Sequence, residues 1–165
     1  MSTATIAKSA RTRGQVEPLS DAVSHILEEC RMVLPGIQAL FGFQLIAVFN
    51  QTFWDKLQPH EQVIHFAAIY LVALSVALVM APAAYHRLAE PTQISRRFIA
   101  VSTFFLSTSM YPLMVAISMD LYLIANLVFE SWAGSLLLTA LLLSIFTTLW
   151  VVFPRMTALQ KLLDR

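Results

Sequence analysis

Apolar residues fall into four long runs, and most polar positions are pushed to the ends of those runs. The first, "VLPGIQALFGFQLIAVFNQTFW", covers 33–54, and the second, "VIHFAAIYLVALSVALVMAPAA", covers 63–84. The third starts near Phe98 and stays apolar to about Phe129, with Asp120 as its interruption, and the fourth, "WAGSLLLTALLLSIFTTLWVVF", covers 132–153. About 20 residues cross the hydrocarbon as a helix. Three runs fit one crossing each, and the third is too long. It is expected to span 98–119, with 120–129 extending past the bilayer or along its outer face. A fifth crossing is excluded, because about 10 residues cannot span as a helix.

Ahead of these runs the pattern is different. Leu19, Val23, Ile26, Leu27, Cys30 and Leu34 recur at helical spacing, with Asp21, Ser24, Glu28, Glu29 and Arg31 mostly between them. This predicts an amphipathic interfacial helix over 19–34, N-capped by Ser20. A bend is expected at Pro35-Gly36, because proline disfavours the α conformation at the residue before it. Residues 1–18 are small, polar and basic and are expected to form a disordered cytoplasmic tail. Polar, acidic residues follow Lys8, Arg11 and Arg13 where a cleavable signal would be apolar, so the first run is expected to be an uncleaved anchor.

Composition agrees with the runs. The chain of 165 residues is 58% hydrophobic and 13% charged, against about 25% charged in ordinary soluble domains, and its mean hydropathy is +0.68. A net charge of +1 gives no global pull on nucleic acid. With both termini inside, Lys8, Arg11, Arg13, Arg31, Arg87, Arg96, Arg97, Arg155, Lys161 and Arg165 share the cytoplasmic side, leaving only Lys56 outside. Trp54, Trp132 and Trp150 fall near span ends, as an interfacial aromatic belt requires. The predicted fold is all-α and integral to the membrane: four transmembrane helices (35–153) in an antiparallel bundle, after the interfacial helix and before a cytoplasmic tail, 154–165.

Packing and polar chemistry follow from the same spans. Ala73, Ala77 and Ala81 form a smooth stripe for close helix approach, with Gly42 and Ala39 as a complementary thin spot. Ser107 and Thr108 precede Pro112 and are expected to soften a kink there. Gln38, Gln44, Asn50 and Gln51 are expected to hydrogen-bond between helices, or, in the rival reading, to line a polar passage. Tyr85, His86 and Arg87 suit interfacial anchoring, with Arg87 paired to Glu28, Glu29 or Glu90; the alternative is a ligand or proton role for His86. In "HEQVIH" the two histidines are five apart, about 140° round a helix, which does not match a zinc-binding pair, whereas Glu61 and His65 are spaced to hydrogen-bond. One cysteine, Cys30, excludes an intrachain disulfide.

No nucleophile elbow, phosphate loop or paired-carboxylate site is evident, so no catalytic residue, cofactor or metal is expected. No charged residue falls in the middle of a predicted span, which argues against ion-coupled transport. The expectation is a non-enzymatic membrane protein, an accessory subunit or small homo-oligomer in a bacterial cytoplasmic membrane. Its partners are the lipid bilayer and a second copy or other membrane subunit, with no nucleic acid. The alternative is a small transporter or channel formed by oligomerisation. The polar cluster singled out is Glu28, Arg31, Gln38, Gln44, His86, Arg87 and Asp120.

"EECRMVLPGIQALFGFQL" and "APAAYHRL" resemble the two signature regions of an uncharacterised bacterial family of small four-helix membrane proteins. The matching positions are Glu28 or Glu29 with Arg31, then Gly36, Gln38, Leu40, Phe41 and Phe43, and later Pro82, His86 and Arg87. Asp120 and the Trp150…Pro154 ending match in pattern only. The resemblance implies the same four-helix topology. Some members of that family carry the label sodium:proton antiporter, which the absence of a mid-span carboxylate speaks against here.

Overall fold

The computed structural model describes residues 19–89, 95–156 and 160. The tail 1–18, Glu90, and the basic Lys161 and Arg165 lie outside the described residues. Among those described there are helices and short links and no strands. The elements are α1 (Leu19–Val48), α2 (Gln51–Lys56), α3 (Pro59–Ala89), α4 (Arg96–Phe129) and α5 (Trp132–Phe146), which continues into a π-helical turn, Thr147–Val152. Four helices are long and apolar enough to cross a membrane, over Val23–Val48, Pro59–Ala89, Arg96–Phe129 and Trp132–Met156.

α1 departs from the expected break at Pro35-Gly36, because it runs unbroken through the proline. Proline removes one backbone hydrogen bond, but Cys30 and Leu34 before it and Ile37, Leu40 and Phe41 after it pack on one core. That shared packing holds both halves on a single helix, so 19–34 is not a separate element. The interruption comes later, at Phe49-Asn50, where the Asn50 side chain caps α2 by accepting from Thr52 N–H at 3.0 Å. Starting α3, Pro59 occupies the first helical position, where its missing N–H costs nothing. Glu61 reaches back to accept from Gln58 N–H at 2.8 Å, the reciprocal half of a capping box.

The α3–α4 pair is the centre of the bundle. Its buried α3 face is Glu61, His65, Ala68, Val72, Ser75, Val79 and Pro82, alternating steps of four and three. Facing it on α4 are Phe98, Ser102, Ser109 and Ala116, of which Phe98, Ser102 and Ala116 are wholly buried. Small side chains let the two backbones approach. This is not the alanine stripe predicted from the sequence: Ala77 is exposed, and Ala73 and Ala81 are half-buried. Gly42 likewise has open space around its Cα, and Ala39 is exposed, so neither marks a close crossing. Beside Pro112 the recorded hydroxyl bond is from Ser109 to the Leu106 carbonyl, 2.7 Å.

α5 packs on α4 and shows most of its surface outward, with Ser135 its buried residue. Ser135, Thr139, Ser144, Thr147 and Thr148 each donate to a carbonyl of their own helix at 2.7–2.9 Å. Satisfied in this way, they leave no unpaired hydroxyl donor on a face covered by Leu136, Leu137, Leu141 and Leu149. The π-helical turn ends at Val152, two residues before Pro154, within the turn whose backbone the proline ring would crowd.

The α4–α5 link is two residues, Glu130 and Ser131. Glu130 adopts a left-handed conformation at φ 50°, the one positive φ at a non-glycine among the described residues. Its N–H donates to the Asn126 carbonyl at 3.0 Å, closing α4. α4 is therefore one helix through Asp120 to Phe129, so residues 120–129 continue the third helix beyond Met119.

Candidate functional site in the membrane-spanning bundle

The α4–α5 hairpin determines where Asp120 sits. α5 turns back two residues after α4 ends, so the end of its apolar run lies level with Phe129 and not with Met119. Asp120 is nine residues before that end, about 13 Å by helical rise. His65 lies six residues into α3, about 9 Å, and Gln44 four residues from the end of α1, about 6 Å. Three polar side chains from three helices thus meet about 6–13 Å from their helix ends. Asp120, expected at the outer end of the third span, stands more than two turns before the end of its helix.

Their geometry is closely constrained. Gln44 Nε2 donates to Asp120 Oδ2 at 2.6 Å, tying α1 to α4. His65 Nε2 lies 3.0 Å from the Gln44 backbone carbonyl. A carbonyl only accepts, so Nε2 carries a hydrogen and donates it. His65 Nδ1 then faces Asp120 Oδ1 at 3.5 Å. Two bare lone pairs in that position would repel. One proton held between Nδ1 and Oδ1 would resolve this and leave the cluster electrically neutral, which a low-dielectric site favours. Gln44 is 4% exposed and His65 7%. Gln44 Oε1 is buried without a hydrogen bond, and Asp120 Oδ1 is buried with His65 Nδ1, at 3.5 Å, as its polar neighbour.

These three residues form the floor of a crevice of ≈ 310 Å³, otherwise walled by apolar side chains that include Leu40, Phe43, Phe53 and Ile124. The Phe53 ring packs over His65 at 5.2 Å between centroids. Phe43 and Ile124 are largely exposed on the outside of the bundle, so the mouth opens sideways between α1 and α4. A second cavity of ≈ 500 Å³ lies nearer the helix ends and is polar, with Lys56, Glu61, Asn126 and Glu130 among its lining. Leu57, Leu123 and Leu127 line both and separate them. Glu61 is buried and accepts from Asn126 Nδ2 at 2.5 Å. The expected Glu61–His65 bond is thus replaced by two separate pairings, each reaching α4.

A profile of one protein family matches residues 15–154. The chain belongs to DUF6328, a family of unknown function. No curated protein and no solved structure matches it. The DUF6328 match takes in all five helices and the whole Gln44–His65–Asp120 cluster.

Of the site residues singled out from the DUF6328 sequence, the structure brings together Gln44 and Asp120 only. Glu28, Arg31 and Gln38 are exposed along α1, and Gln51 is exposed on α2, away from Gln44. Arg87 is exposed and forms no ion pair with Glu28 or Glu29. His86 lies at the far end of α3 and packs against Phe98, 5.3 Å between ring centroids, with Nδ1 buried and unbonded. The residue that sequence reasoning missed is His65. Its signal was present, since it stands one turn inside an apolar run and is the only ionisable side chain between Val63 and Ala84 apart from Tyr70.

Proposed function

We propose that this chain is a multi-pass protein of a bacterial cytoplasmic membrane, with both termini cytoplasmic, that acts as a small proton-linked carrier and not as an enzyme. The observation that carries the reading is the Gln44–His65–Asp120 cluster, three polar side chains from three apolar helices meeting at the floor of a crevice. Ionisable side chains are expensive within a bilayer and mark ion, proton or substrate paths when they face a bundle interior. The carboxylate that such a carrier needs is supplied by Asp120 in this reading. The excess of Lys and Arg at the terminal end of the bundle supports the orientation. Proton flux into liposomes carrying a pH-sensitive dye tests the proposal: the native chain accelerates it and Asp120→Asn abolishes the acceleration. A native chain no faster than empty liposomes would remove the reading.

The subunit or homo-oligomer reading draws on a different feature. A groove of ≈ 360 Å³ runs between α1 and the end of α5, lined by Val33, Met110 and Trp150 among others, a shape another helix can fill. Cross-linking in native membranes distinguishes the two; a lone monomer removes this second reading.

A further inference from the structure

The crevice has a chemistry of its own beyond proton binding. Its walls are aliphatic and aromatic, while its floor presents Asp120 Oδ1, Gln44 Oε1 and, once the shared proton departs, His65 Nδ1. All three are then acceptors. Gln44 Oε1 already lacks a hydrogen-bond donor although it is buried, and Asp120 Oδ1 is approached only by His65 Nδ1, at 3.5 Å. A ligand that belongs here brings donors, carries one positive charge to replace the proton, and has an apolar body.

We propose that the crevice binds a small lipophilic primary ammonium ion, which enters sideways from the bilayer and displaces the proton shared by His65 and Asp120. This rests on the proton-binding reading above. An R–NH₃⁺ group offers three N–H donors to the three acceptors, while Gln44 Nε2 keeps its bond to Asp120 Oδ2. One cation enters and one proton leaves, so the cluster stays neutral throughout, and no net charge is buried at any stage. The volume of ≈ 310 Å³ equals about ten liquid waters, which fits an amine of roughly that many heavy atoms. Phe43 and Ile124, 72% and 60% exposed, form the rim that such a molecule crosses on leaving the bilayer. Because the acceptor atoms are shielded from water in this conformation, the head group enters as the rim side chains Phe43 and Ile124 swing aside. In this proposal proton exchange with water runs past Leu57, Leu123 and Leu127, which line both cavities, to the polar one, whose charged lining is Lys56, Glu61 and Glu130.

The recognition excludes close relatives of the ligand. A quaternary ammonium has the charge and no donors. An alcohol has one donor and no charge, and a fatty carboxylate meets Asp120 as a like charge.

The test uses the full chain in lipid nanodiscs with n-octylammonium, octyltrimethylammonium, octanol and sodium chloride as probes, and empty nanodiscs as the partition control. In weakly buffered solution at about the pH where imidazole titrates, saturable octylammonium binding releases one proton per site. Octyltrimethylammonium binds at least tenfold more weakly, the scale of one charge-assisted hydrogen bond. Octanol and sodium release none. Asp120→Asn abolishes the release, and Ile124→Trp, which fills the mouth, weakens octylammonium binding at least tenfold. Equal binding of the quaternary ion, or proton release by sodium and not by the amine, overturns the inference. Proton flux that depends on Asp120, with no amine binding, overturns it while leaving the proton-carrier reading intact; loss of both removes both.

Discussion

Replacing Asp120 separates the two roles that the cluster combines. In Asp120→Asn the side-chain oxygen still accepts from Gln44 Nε2, and the amide Nδ2 carries a hydrogen that points at His65 Nδ1. That hydrogen does structurally what the shared proton does, but it cannot leave. In Asp120→Leu both neighbours are stranded: the Gln44 donor now 2.6 Å from its acceptor and the His65 nitrogen now 3.5 Å from the carboxylate. Stranded buried groups cost about 1–3 kcal/mol each in soluble proteins, whereas interhelical hydrogen bonds in membranes average about 0.6 and reach about 1.7 kcal/mol. The membrane scale governs here. The leucine variant should therefore lose roughly 1–3 kcal/mol in total, and the asparagine variant less than about 0.5 kcal/mol. Unfolding by SDS in mixed micelles, followed by tryptophan fluorescence, measures both. Proton flux should vanish in both. Equal destabilisation by asparagine and leucine would refute the assignment of a replaceable proton between His65 and Asp120.

Four other outcomes follow from the packing. Glu61→Ala removes the cap on α3 and strands Asn126, and should cost about 1–3 kcal/mol in the same unfolding assay. Ala116→Leu, at a wholly buried position on the α3–α4 contact, should destabilise by about 1–3 kcal/mol through overpacking, while Ala77→Leu on the exposed face changes stability by less than about 0.5 kcal/mol. The reverse order would restore the alanine stripe as the contact surface. Glu130→Gly relieves a left-handed conformation and should stabilise by about 1 kcal/mol; a loss would show that the Glu130 side chain matters more than its backbone. Cysteines at Lys56 and Arg97, reacted with a membrane-impermeant thiol reagent in whole cells, should label only at 56.

The architecture was legible because it depends on quantities a sequence displays directly: run length, charge asymmetry and punctuation. The fourth run begins at Trp132, where α5 also begins, because the polar pair Glu130-Ser131 before it marks the turn and a continuous apolar sequence follows. Pro35 misled because local propensity favours a break there, and packing of Cys30, Leu34, Ile37 and Phe41 outweighs it. The site was harder. Depth was estimated run by run, which put Asp120 at a helix end and His65 at the surface. Their true level depends on register between helices, and the two-residue link after Phe129 sets that register. Gln44 was identified, as an isolated amide in an apolar run, but its partners lie 21 and 76 positions away and nothing local names them.

The unequal tethering of the helices has a mechanical consequence. α4 and α5 are joined by a two-residue link, and α4 packs against α3. α1 reaches them through a loop, a six-residue helix and a second loop, and sits on the common core through Leu34, Ile37 and Phe41. At the crevice two side-chain bonds fasten it, Gln44 to Asp120 and His65 to the Gln44 carbonyl. The arrangement resembles a leaf held at one end by two bolts that share a single keeper, Gln44. Whatever displaces Gln44 draws both bolts at once.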